Sequence, residues 1–201
     1  MRRILPLLIL LATAPAARGT ILGFEDAPTS RDGFLVGSYG GLDWDGSLGS
    51  YFQILDTTSF CRQASLPGPA YCKGTVSGTH VAFDFDATQV RSATPFDFIG
   101  TYITAGFRDD MRVRVQGFRA GALVFDRLVP IDTSGPTWFA FDFTGIDLVE
   151  FRPDPPSHPG NGTHFVIDDF EFRFVPEPGT ALVLALGLTL LSGSRRFRKT
   201  D

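Results

Sequence analysis

Three sets of side chains in this 201-residue sequence are of a type and spacing that could do chemistry. The first is acidic. Asp168 and Asp169 interrupt an apolar run, and Glu25 and Asp26 follow the stretch Thr20–Phe24. In an ideal strand Phe165 and Ile167 share one face while Phe170, Phe172 and Phe174 share the other. A bulge at Asp168–Asp169 would bring both sets onto one buried face. Pairing of the first and last strands would then carry Glu25 and Asp26 toward Asp168 and Asp169. Carboxylate oxygens gathered with backbone carbonyls are what calcium takes. The expectation is a structural calcium ion on Glu25, Asp168 and Asp169, with a solvated acidic rim as the alternative.

The second set is aromatic: Tyr39 and Trp44 in the glycine-dense loop 37–45, and Tyr51 just beyond it. Their faces could stack on a sugar ring while loop carboxylates accept hydrogen bonds from its hydroxyls. A tryptophan in such a loop can equally plug the end of a sandwich. The third set is Cys61 and Cys72, whose spacing fits neither Cys-x-x-Cys nor a zinc pattern. Two cysteines predict one disulfide if the chain is exported, worth about 3 kcal/mol for so short a loop. Catalytic signals are nearly absent. The histidines, His80, His158 and His164, have no metal-ligand spacing, and there is no Gly-x-Ser-x-Gly elbow. Asp43 and Asp45 would sit too close together on an extended loop to straddle a glycosidic bond. A non-enzyme is expected.

These residues need strands to position them. Met111, Val113 and Val115 alternate with polar residues, and Leu123–Leu128 reads as the hairpin partner across the turn at 118–122. Thr137–Phe143 puts Phe139, Phe141 and Phe143 on one face, and Gly145-Ile146-Asp147 reads as a turn into Leu148–Phe151. Further strands are expected at Thr20–Phe24, Tyr51–Leu55, His80–Phe83, Phe96–Ile103 and His164–Phe174. No long stretch has a period of 3.6. Short strands punctuated this way, with 20 phenylalanines, predict an all-β fold, a single antiparallel β-sandwich spanning 20–174. That body carries 11 Lys+Arg against 20 Asp+Glu, a net charge of −9 hidden within the −4 of the whole chain. Such a charge opposes nucleic-acid binding, which rests on phosphate neutralisation.

Both ends read as targeting segments. Met1-Arg2-Arg3, the apolar run Ile4–Leu11 and the small residues after it predict a signal peptide over 1–19, cut after Gly19 or Ala16. At the other end, residues 175–201 hold Pro176-Glu177-Pro178, an apolar transmembrane segment from Thr180 to Leu191, and the basic end Arg195-Arg196-Phe197-Arg198-Lys199. In this order the tail resembles the PEP-CTERM sorting signal of exported bacterial proteins. The resemblance implies processing by a membrane-embedded exosortase, transient anchoring by the C-terminus, a cell-surface or extracellular destination, and often an exopolysaccharide-producing host. Phe24-Glu25-Asp26, Tyr39–Trp44, Thr94–Tyr102, Asp132–Phe139 and Gly145-Ile146-Asp147 resemble a recurring body domain of such proteins. Gly23–Asp26 with Val166–Asp169 is similar to the calcium site of carbohydrate-binding jelly-roll modules, which implies a jelly-roll-like sandwich. The sequence thus points to a surface or extracellular-matrix protein that binds polysaccharide, with a carbohydrate-active hydrolase or lyase, or a purely structural coat subunit, as alternatives.

Overall fold

Alternating apolar residues give this chain strands, and glycines and aspartates bend them. The computed structural model describes residues 19–29, 34–35, 37–44, 52–62, 71–84, 86–154 and 162–175. The expected signal peptide, Tyr51, and the sorting residues Pro176, Glu177, Pro178, Arg195 and Arg196 lie outside them. The described residues fall within one compact unit, Arg18–Val175. None of their helices is long and apolar enough to cross a membrane.

The strands are β1 (Thr20–Leu22), β2 (Phe34–Leu35), β3 (Ser38–Tyr39), β4 (Leu42–Asp43), β5 (Gln53–Asp56), β6 (His80–Asp84), β7 (Thr88–Ala105), β8 (Met111–Arg119), β9 (Ala122–Ile131), β10 (Thr137–Asp154) and β11 (Phe165–Phe174). One antiparallel ladder runs β2-β5-β6-β11-β7-β10-β8-β9, with β1 added to β11 and β4 to β7. It closes over a single large core, as expected of an all-β sandwich. Phe98 lies at its centre, stacked on Phe170 at 4.6 Å and on Phe141 at 5.1 Å between ring centroids.

The two long strands, β7 and β10, carry the ladder around this core. The first part of β10 pairs with 98–103 of β7, and the last part lies between 88–91 of β7 and 112–118 of β8. The turn expected at Gly145–Asp147 is instead a series of register shifts within one strand. Asp142 (φ 53°) and Gly145 (φ 61°) supply left-handed kinks without reversing the chain. Arg119 donates to the Thr144 and Gly145 carbonyls, and Asp97 accepts from the Gly145 amide, so groups freed by the bulges find partners.

The bulge expected in the last strand is present. Asp169 has φ 49°, and the register with β7 skips between Asp168 and Glu171. Phe165, Ile167, Phe170 and Phe172 consequently enter the same core, while Phe174 at the strand end stays 36% exposed. The short helix α1 (Thr57–Cys61) was not legible as a periodic run. Asp56 caps it by accepting from the amides of Thr58 and Ser59. On the opposite face of β5, β6 and β11, Leu55, Tyr71, Val81 and Val166 form a second, smaller cluster. Over it lie α1 and the 3-10 turn Tyr71–Lys73, joined by the Cys61–Cys72 disulfide with its Cα atoms 5.9 Å apart.

Candidate functional site

Trp44 is not a surface residue. It is fully buried, with edge contacts to Phe24, Phe52 and Phe170 at 5.2–5.5 Å. Its indole N–H donates to the Tyr39 carbonyl at 2.9 Å. The glycine-rich loop therefore folds its tryptophan inward, where a large apolar side chain with one satisfied donor plugs the core. Tyr39 is half-buried, stacked on Phe24, and donates its hydroxyl to Asp26 at 2.5 Å. Burial and the Asp26 carboxylate push that phenol well above its ordinary range. An open groove of about 460 Å³ passes beside it, lined by Ile21, Glu25, Asp26 and Ser38 among others.

The pairing of β1 with β11 sets Glu25, just past β1, near the Asp168–Asp169 bulge of β11, and all three carboxylates accept hydrogen bonds from residues 76–80. Asp168 Oδ2 accepts from the amides of Val76 (2.6 Å) and Ser77 (3.0 Å), and Oδ1 from the Asp169 amide at 2.7 Å. Asp169 accepts from the Ser77 hydroxyl at 2.6 Å, and Glu25 Oε1 from the amides of Thr79 and His80 at 2.7 and 2.6 Å. Among the described residues, no group of three or more His, Cys, Asp or Glu side chains is placed to hold a metal ion. In this arrangement the three carboxylates anchor residues 76–80. Asp168 is wholly buried, and this desolvation, only partly opposed by the three amides, pushes its carboxyl up to about 6.

An exposed tryptophan with a half-buried tyrosine beside it lies elsewhere. Trp138 on β10 is paired in register with Tyr102 on β7, and their rings stand 5.1 Å apart at 61°. Alternation explains the placement: Phe139, Phe141 and Phe143 turn inward, so Trp138 turns outward. The pattern that predicted the buried phenylalanines therefore already contained this residue. Its six-membered ring occupies the space above Gly100, where a Cβ would lie 2.5 Å from Trp138 Cζ2 and from the Phe139 carbonyl. Trp138 keeps 36% of its surface exposed. In the neighbouring cross-strand row, Ile21, Glu171, Gly100 and Ala140 are in register across β1, β11, β7 and β10. The result is a shallow face with an aromatic floor, small residues beside it and a carboxylate at its edge.

A hydroxyl–imidazole pair, Tyr71 and His164, also forms a hydrogen bond, with Tyr71 pressed against Phe60, Phe83 and Phe107. Burial raises the Tyr71 phenol, the nearby Asp84 carboxylate adding to the effect, and burial lowers His164. Neutral forms of both are favoured inside an apolar cluster, which suits packing better than proton transfer to a substrate.

No protein-family model matches the chain, and no curated protein matches it. Solved structures similar to it include a family 29 carbohydrate-binding module (11% identity, TM-score 0.43, 81% of this chain and 98% of the other). Another is the xylan-binding module CBM22-1 of Paenibacillus barcinonensis (12% identity, TM-score 0.42, 81% of this chain and 99% of the other). With TM-scores below 0.5, neither bears on what this chain binds.

Proposed function

We propose that the chain is an exported, non-catalytic surface or matrix protein whose β-sandwich binds polysaccharide through the face around Trp138 and Tyr102. Its C-terminal segment directs it to a membrane-embedded exosortase, and the jelly-roll-like body is what remains outside the cell. One observation carries the binding reading: an exposed tryptophan is held over a glycine on a rigid strand, next to a tyrosine. Such a face costs little side-chain entropy to use and can take the apolar side of a sugar ring, while the Tyr102 hydroxyl serves hydroxyls at its rim. Affinity electrophoresis of the exported protein in gels cast with neutral polysaccharides tests it. Retardation that falls at least tenfold in Trp138→Leu is expected. Equal retardation of the two proteins removes this face from the account.

A further inference from the structure

We infer that residues Tyr71–Thr79 form a wall of the Trp138–Tyr102 face, and that Glu25, Asp168 and Asp169 are positioning residues that fix this wall against an extended oligosaccharide. The inference rests on the binding reading above. Asp168 is the β11 residue opposite Tyr102, and Tyr102 in turn is opposite Trp138. Residues in direct cross-strand register share one side of the sheet, so all three side chains rise from the same surface. The Asp168 carboxylate holds the amides of Val76 and Ser77 directly above it. The wall therefore stands one strand from Tyr102 and two from Trp138, about 10 Å across the sheet. That span matches about two linked sugar units and exceeds what a single ring can bridge.

The wall is held along its length. The disulfide secures its start at Cys72. Asp168 and Asp169 hold its middle, and Glu25 holds the amides of Thr79 and His80 at its end. Gly78, at φ 60°, lets the backbone press onto Glu25, since a Cβ there would lie 2.1 Å from the carboxyl carbon. At the middle, Val76 is left 43% exposed. A buried carboxylate committed to two amides of an exposed loop makes structural sense if the loop must keep one position. Val76 then offers an apolar contact to a chain already stacked on Trp138.

Calorimetry of the exported protein with glucose, xylose and mannose and with cello-, xylo- and manno-oligosaccharides of increasing length tests this. Val76→Asp, an exposed change that leaves the sheet intact, should weaken the longest ligand at least tenfold and leave the monosaccharide unaffected. Gly78→Ala, which forces the segment off Glu25 but keeps Val76, should reproduce the same length-dependent loss. Equal loss at every length, or no loss, overturns the inference. Trp138→Leu should weaken every length, and failure of the unaltered protein to bind any of these sugars defeats the binding reading itself.

Discussion

Trp44 and Trp138 show how differently one residue type can be used in a single chain. Trp44 packs against four aromatic rings and touches no solvent, so Trp44→Ala should cost about 3–5 kcal/mol in chemical denaturation. Trp138 is exposed, and its removal should cost far less stability while abolishing the proposed binding. Gly100 links the two roles, because a methyl group there collides with Trp138 and with a backbone carbonyl. Gly100→Ala should destabilise by about 1–3 kcal/mol and shift the Trp138 fluorescence as the ring is displaced. Asp168 gives a pH signature. Its folded pKa, about 6, lies above the unfolded value, so the folded state binds the extra proton between roughly pH 4 and pH 6. Stability from this group therefore rises as the pH falls through that window. A thermal melt should move up by roughly 4 °C between pH 7 and pH 5, and Asp168→Asn should abolish the shift. Asp56 acts in the opposite sense: its cap bonds hold it near 2, so its contribution fades below about pH 4 and is lost as the pH falls through about 2.

Among the elements, β11 carries the most consequences. One bulge turns its phenylalanines onto a single face, lifts Asp168 against the 76–77 backbone and leaves Glu171 beside the aromatic face. A one-residue deletion there would throw Phe170 and Phe172 out of the core and prevent folding. The cover formed by α1 and the 3-10 turn depends on a different device. Its own cluster is small, so closing the chain between Cys61 and Cys72 should contribute about 3 kcal/mol. Reduction should lower the denaturation midpoint accordingly, and alkylation without reductant should label neither cysteine. Long strand β10 shows that a glycine flanked by polar residues need not reverse a chain. The sheet continues past Gly145 because Arg119 and Asp97 satisfy the peptide groups that the bulges release.

For the whole molecule, the acidic body is the proposed binding part and the two basic ends are the proposed targeting segments. A body of net charge −9 should stay soluble and should not bind nucleic acid. The ends are expected to be removed. Mass spectrometry of the exported protein should find neither Met1–Gly19 nor any peptide beyond Ala181. An intact Arg195–Lys199 end on the surface-located protein would rule out processing at Pro176-Glu177-Pro178.

Local chemistry alone determined the all-β class, the disulfide, the inward row Phe139, Phe141 and Phe143, and the bulge at Asp168–Asp169. The row and the bulge depend on period and polarity within a few residues; the class and the disulfide follow from the pattern and cysteine count of the chain as a sequence. The tertiary structure decided what the acidic and aromatic residues do. The return of 76–80 across the sheet gives Asp168 and Glu25 amide donors and gives Asp169 the Ser77 hydroxyl. Trp44 and Trp138 are equally apolar in sequence. One faces a core assembled from strands far apart in the chain, and the other faces solvent over Gly100. That difference is set by which strands become neighbours, and long-range register of this kind cannot be read from local pattern.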